Sequence, residues 1–261
     1  MTEGLHMKKR IVVKVGTKVL SKTDGTLDER VLNHLADQIA LLKKKGVEVI
    51  LVTSGAVGSG RSLLTLKRKE TVPDKQVYAA IGQVKLMNTY SKLFARHGYL
   101  CAQVLATKED FRDSEHYLNM KNCLAGLLYD KVIPVVNEND VVAVKELVFT
   151  DNDELAGLIA LQLEADAVVI LSSVAGVLDG NSRVIPEIAG KTILSFQKHV
   201  TPAKTAGGRG GMVSKFAVAR TLMSHGITVY IADGKRKNVL SDIMKGAIIG
   251  TKFIPNRKSK E

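Results

Sequence analysis

Six short runs dominated by Val and Ile recur along the chain: IVVKVG (11–16), VEVILVT (47–53), YLCAQVLA (99–106), VIPVVN (132–137), AVVILSS (167–173) and ITVYIAD (227–233). Most are continuous and do not alternate apolar with polar. A strand wetted on one face needs a period of two, so continuous runs predict strands buried on both faces, as in a parallel sheet. The stretches between them carry helical spacing. Thr26-Leu27-Asp28-Glu29 reads as a capping box opening a helix with Val31, Leu35, Ile39 and Leu42 on one stripe, closed by Gly46 after three lysines. Val77, Ile81, Val84 and Met87 suggest a second helix, and Leu155, Ile159 and Leu163 a third. The alternation means α/β, with right-handed crossovers placing helices on both faces of a mostly parallel sheet and ligands at the carboxyl ends of the strands.

Val141 to Phe149, VVAVKELVF, reads as a short β-excursion between NEND (137–140) and TDND (150–153). No Pro- or Ser-rich linker and no internal repeat divides the chain. We read one domain over 1–261, with two lobes meeting near residue 165.

Composition narrows the function. No apolar run approaches the ~20 residues of a membrane span, and Lys14 interrupts the first run too early for a signal-peptide core. Two cysteines, Cys101 and Cys123, make neither a disulfide framework nor a zinc site; a reducing cytoplasm is expected. A net charge of +12 invites nucleic acid, but the basic residues are scattered, with short clusters at 43–45, 67–69 and 257–260. With 5% aromatics and no Trp, a base-stacking platform has little support. Small anionic ligands account for the charge equally well.

Four stretches carry candidate chemistry. Lys14 stands inside the first strand; on a central strand it needs an anion, and on an edge strand it needs only water. Gly16 after it leaves room for a phosphate at the backbone. TSGAVGSGR (53–61) follows a strand and offers backbone N–H groups and the Ser54 hydroxyl, though neither GxGxxG nor GxxxxGK[ST] is present. NEND and TDND gather Asn137, Asn139, Asp140, Asp151, Asn152 and Asp153, amides and carboxylates suited to reading a zwitterion; two ordinary polar turns or a helix cap are the plainer alternative. AGGRGGMVSK (206–215) is glycine-rich and puts Lys215 near a helix start, where the dipole disfavours a cation unless a polyphosphate lies between them. A surface loop would look the same. The six histidines are dispersed without metal-ligand spacing.

Taken in order, VVKVGT (12–17), TSGAVGSGR, AAIGQVKLM (79–87), VIPVVNEND (132–140), FTDNDELAGLIA (149–160) and GGMVSK (210–215) resemble the amino acid kinase family, and within it the glutamate kinases, over nearly the whole chain. The resemblance implies a three-layer αβα sandwich around a central, mostly parallel sheet, with the acid substrate over about 1–165 and ATP over about 166–261. It implies Lys14 and Lys215 as phosphate-binding catalytic lysines and Asp153 as the acid that orients them. Ser54, Gly55, Asn137, Asp140 and Asn152 fall on the glutamate side, with Gly55 and Gly16 matching backbone donors to the transferring phosphoryl group. Ser172, Ser173, Arg209, Gly210, Gly211, Met212, Val213 and Ser214 join Lys14, Gly16 and Lys215 on the nucleotide side.

The family usually has Thr-Asp where Ser172-Ser173 stand, Thr in place of Arg209 and Gly in place of Thr150. ATP and Mg²⁺ are the implied cofactors, with no protein residue assigned to the metal. L-Glutamate, a homo-oligomer and a glutamyl phosphate reductase to receive the labile product are the implied partners. The chain matches the catalytic domain without the C-terminal accessory domain that many such kinases carry. Rival readings are a family member acting on acetylglutamate, aspartate or carbamate, a regulator that binds without turnover, and a charge-driven nucleic-acid binder.

Overall fold

The computed structural model describes residues 9–65, 70–142, 149, 151–190, 192–193, 196 and 211–255. All six Val/Ile-rich runs are strands: β1 (Arg10–Val15), β2 (Glu48–Val52), β3 (Cys101–Ala106), β4 (Ile133–Glu138), β5 (Ala167–Ser172) and β7 (Thr228–Asp233). Two more, β6 (Glu187–Ala189) and β8 (Thr251–Ile254), complete one sheet ordered β3-β4-β2-β1-β5-β7-β8-β6. Among the described pairings only β7 with β8 is antiparallel; β1 lies between β2 and β5, parallel to both.

Alternate residues of each central strand enter different cores, which is why the runs are apolar throughout. Val12, Ile50, Val52, Val136, Val168 and Ile170 face one helical layer, made by α5 (Ser114–Tyr129), α6 (Asn152–Gln162) and α7 (Met212–Ser224). Ile11, Val13, Val49, Leu51, Val135 and Val169 face the other, with α2 (Glu29–Lys44), α4 (Val72–Ala95) and α8 (Val239–Met244). The αβα sandwich is thus present. Two short helices, α1 (Thr17–Leu20) and α3 (Ala56–Arg61), follow β1 and β2 directly.

Two expectations shift. The cap of α2 is Asp28, whose carboxylate accepts from Arg30 N–H, while Thr26 turns back to Asp24; a short bridge of Ser21 to Leu27 holds that connection extended up to the helix. The second helix exists as α4, but Val77, Ile81 and Val84 lie on its exposed side, Val84 at 62%. Its buried side is Tyr78, Ala79, Gly82, Gln83, Leu86, Tyr90, Leu93 and Phe94. Small residues dominate part of that side because α3 presses against it: a Cβ on Gly82 would stand 1.8 Å from the Ala56 carbonyl oxygen, and one on Gly60 would stand 2.0 Å from that of Tyr78. Apolar spacing therefore pointed to the wrong face. The third helix keeps its stripe, with Leu155, Ile159 and Leu163 buried.

Val141 and Val142 sit in an exposed turn, and the remainder of the expected β-excursion, 143–148, lies outside the described residues, as do Thr150 and the basic clusters at 67–69 and 257–260. Among the described residues no helix is long and apolar enough to cross a membrane, and both cysteines are free thiols.

Candidate active site

Lys14 is on a central strand, so the edge-strand alternative falls; the residue is 6% exposed. Having the parity of Val12, it points into the α5/α6/α7 layer at the strand's carboxyl end. The anion it needs comes from α6. Asp151 caps that helix, its Oδ1 accepting from the N–H groups of Asp153 and Glu154 at 2.8 and 3.1 Å. With capping done by Asp151, Asp153 turns inward, fully buried. One oxygen lies 2.6 Å from Lys14 Nζ and the other accepts from Lys215 Nζ at 2.8 Å. Lys215 is the fourth residue of α7 and also 6% exposed.

Burial alone pushes the Asp153 carboxyl up; the Lys14 and Lys215 ammonium groups outweigh it and hold the group below the usual carboxylate range. Since each ammonium touches one oxygen of the same carboxylate, they are within about 8 Å of each other, where two unscreened cations repel by ~2 kcal/mol at an effective dielectric of 20. Asp153 offsets that repulsion and leaves one net positive charge. Such a pair is prepared for an anion.

Helix starts add to it. α2, α4, α5 and α6 are capped by the side chains of Asp28, Thr71, Asp113 and Asp151. The three helices that start at a glycine, α1 at Gly16, α3 at Gly55 and α7 at Gly211, have no side-chain cap. For α7, with Lys215 in its first turns, the uncapped N–H groups and the ammonium favour the same anion. Gly16 differs from expectation: its N–H donates to the Leu171 carbonyl at 3.2 Å. What it leaves is space, since a Cβ there would be 3.5 Å from Lys14 Nζ. Gly55 has φ +102°, a conformation glycine adopts freely.

Beside the lysines lies a polar group. Asn152, next to Asp153, donates its amide to the Thr53 carbonyl, to Ser54 Oγ at 2.9 Å and to Asn137 Oδ1 at 2.9 Å. Three of the substrate-side residues named from sequence thus meet directly. Asp140 lies half-buried in the turn after β4. Behind them stand two residues of α4 that the sequence reading did not single out: Tyr90, whose hydroxyl is 2.7 Å from Thr53 Oγ1, and Gln83, which accepts from Asn137. Burial pushes the Tyr90 phenol well up, so it stays neutral. The sequence carried no signal for Gln83 or Tyr90, because the buried face of α4 is not the one its apolar spacing marks.

On the expected nucleotide side, Ser172 ends β5 and Ser173 follows, one strand from Lys14. Met212, Val213 and Ser214 form the first turn of α7 after Gly211; Arg209 and Gly210 lie outside the described residues. A mostly apolar groove of about 590 Å³ runs between α6 and α7, past Gly157, Leu158, Val213 and Ser214. It borders the charged cluster without containing Lys14, Asp153 or Lys215, so its size does not make it the reacting centre. Among the described residues no group of three or more His, Cys, Asp or Glu side chains could hold a metal ion.

Two buried cations sharing one acid, beside a cluster of side-chain amides, can gather a polyphosphate and a second anion at one point. The pattern of the Amino acid kinase family matches residues 9–233. A glutamate 5-kinase of Chlorobaculum tepidum is 50% identical over 95% of this chain and 70% of its own length. One of Bacteroides thetaiotaomicron is 48% identical over 96% of this chain and 71% of its own. Among solved structures, Giardia carbamate kinase superposes with TM-score 0.68 at 20% identity, covering 96% of this chain and all of that one. UMP kinase of Bacillus anthracis gives 0.62 at 13%, covering 95% and 96%.

Proposed function

The chain belongs to the amino acid kinase family, and from that membership we propose that it performs the reaction of a glutamate 5-kinase. The γ-phosphoryl group of ATP passes to the γ-carboxylate of L-glutamate, giving γ-glutamyl phosphate and ADP, the first step of proline biosynthesis. The observation that carries the reading is Asp153 held between the Lys14 and Lys215 ammonium groups.

The chemistry asks little covalent help from the protein. A γ-carboxylate with a reference pKa of about 4.3 is ionised at pH 7. Its oxygen attacks the γ-phosphorus as the bond to the ADP oxygen breaks, and no general base is needed. Two anions must instead be aligned, and charge on the transferring oxygens must be met. Lys14 and Lys215 supply that charge, with Asp153 fixing their positions. The uncapped start of α7 at Gly211, Met212, Val213 and Ser214, together with Ser172, Ser173, Arg209, Gly210 and the space at Gly16, serves the nucleotide. Ser54, Gly55, Asn137, Asp140 and Asn152 receive glutamate, so that about 1–165 forms the acid lobe and about 166–261 the nucleotide lobe.

Mg²⁺, bound together with ATP, would supply further neutralisation of the phosphate charge. Both Asp153 oxygens are taken by lysines, so this carboxylate would not be the one to hold the metal. A homo-oligomer, a glutamyl phosphate reductase as recipient of the labile product and a cytoplasmic location complete the proposal, all drawn from family kinship.

Turnover with ATP, Mg²⁺ and a panel of glutamate, acetylglutamate, aspartate and carbamate tests it, read as ADP release and as hydroxamate where the product is a carboxylic acyl phosphate. Glutamate alone should support turnover. Turnover with a different acid only would replace the substrate, and calorimetric binding without turnover would remove the catalysis.

A further inference from the structure

The amide group does not end at Asn137. Asn137 Nδ2 donates to Gln83 Oε1 at 3.0 Å, and Gln83 Nε2 donates to Gln103 Oε1 at 3.0 Å. Four side-chain amides from β3, α4, β4 and α6 therefore form one relay, Gln103–Gln83–Asn137–Asn152. An amide relay can in principle run in either direction, because each member carries both donor and acceptor. Here two backbone groups fix the direction. The Glu138 N–H, which can only donate, points to Asn137 Oδ1 at 3.0 Å. The Thr53 carbonyl, which can only accept, receives Asn152 Nδ2. Asn137 must then present Nδ2 to Gln83, and Gln83 must answer with Oε1.

The consequence falls on the last member. Asn152 has two amide hydrogens and three protein acceptors, Thr53 O, Ser54 Oγ and Asn137 Oδ1. Its hydrogens are committed inward, and among the described residues Oδ1 has no partner. That atom can only accept. We infer that Gln83 is a positioning residue: by receiving Asn137 Nδ2 it steadies the amide whose direction the backbone sets, so that Asn152 stays turned with Oδ1 toward the substrate's ammonium group, making the relay the element that distinguishes an amino acid from the same acid without its amine. This deepens the glutamate reading and rests on it.

Gln83 is suited to the task, being 8% exposed and on the face of α4 that also carries Tyr90 against Thr53. Loss of its acceptor would leave Asn137 Nδ2 without that partner, loosening the amide that receives Asn152 and with it the aim of Asn152 Oδ1.

The test compares Gln83→Met, which cannot accept from Asn137, with Gln83→Glu, which can. Steady-state KM for glutamate and for ATP is measured, with glutarate, the same dicarboxylate lacking the ammonium, as competitive inhibitor. Gln83→Met should raise KM for glutamate about tenfold, the effect of one net hydrogen bond, with KM for ATP and the glutarate inhibition constant within about twofold. Gln83→Glu should keep KM for glutamate within about threefold. If Gln83→Met does not fold, Gln83→Ala carries the same expectation without the longer side chain. An unchanged KM for glutamate in the acceptor-free variant overturns the inference, as do equal losses for glutamate and glutarate or equal losses in Met and Glu. Should the parent protein use a different ammonium-bearing acid, the glutamate reading fails on its own, and that acid against its deamino analogue decides the relay. A parent that acts only on an acid without an ammonium overturns both.

Discussion

Asp153 is the residue on which the site's electrostatics turn, and removing it should differ in kind from removing either lysine. Lys14→Ala or Lys215→Ala leaves one cation facing one carboxylate, a neutral pair, so the fold should persist while kcat falls by about a hundredfold, the ordinary loss for one preorganised charge contact. Near-parent turnover in either variant would contradict its role. Asp153→Asn leaves two buried cations with no charge between them, and breaking a buried ionic group this way costs on the order of 3 kcal/mol. Thermal denaturation should place it several degrees below the parent and below both lysine variants, and a non-hydrolysable ATP analogue with Mg²⁺ should recover more stability in Asp153→Asn than in the parent, because its phosphates return the missing anion. The pH dependence follows from the depressed carboxyl. A group whose folded value lies below its ordinary 3.8 contributes fully above that value and loses its contribution as pH falls through the folded one. Urea unfolding should therefore show a constant gap between parent and Asp153→Asn from pH 8 to 5, closing only below about pH 4; a gap that changes between 8 and 6 would point to another group. These three residues were legible in the sequence because each breaks a local rule: a lysine in an apolar strand, a lysine at a helix start, an acid behind an already sufficient cap. Gln83 was not, because one polar residue on a helix breaks no rule until the buried face is known.

That face is an element-scale matter, and α4 shows why it was hidden. Amphipathic spacing reports where large apolar side chains lie, and along α4 the exposed side carries Val77, Ile81 and Val84, whereas the side against α3 carries Ala79 and Gly82. Close helix contact needs small residues, and small residues give a weak hydrophobic signal. The strands were legible for the opposite reason: burial on both faces leaves β1, β2, β4 and β5 almost uniformly apolar, while β8, with only Thr251 and Phe253 buried, and three-residue β6 had no such run to show. The α3/α4 contact also ties helix packing to the site. Ser54 and Gly55 lead into α3, and a Cβ on Gly82 would strike the Ala56 carbonyl oxygen. Gly82→Ala should push α3 outward, costing about 1–3 kcal/mol as overpacking does, and should raise KM for glutamate more than KM for ATP, since the displaced turn is on the acid side. Steady-state kinetics with each substrate varied in turn would check this. A loss confined to ATP would mean that α3 does not shape the acid site.

Over the whole molecule, the Lys14–Asp153–Lys215 cluster draws on β1, α6 and α7, with Asp153 lying 62 residues from its partner Lys215, so the cluster exists only when both halves of the chain are assembled on one sheet. The net charge of +12 acts on the same scale. Its lysines and arginines are spread along the sequence, and among the described residues only Lys14 and Lys215 of them are buried, which makes the effect of the rest a long-range field felt during approach. Such a field acts in proportion to ligand charge and is screened beyond a Debye length of about 10 Å at 0.1 M salt. ATP carries roughly four negative charges at neutral pH, about two with Mg²⁺ bound, and glutamate a net one, so the two substrates should respond unequally. Raising NaCl from 50 to 300 mM should raise KM for ATP several-fold and KM for glutamate by less than about twofold, with kcat nearly constant because the buried Lys14 and Lys215 are screened little. Parallel slopes for the two substrates would show that the excess charge does not steer the nucleotide. Retention of RNA or DNA at low salt, lost steeply as salt rises, would assign the charge to a different partner altogether.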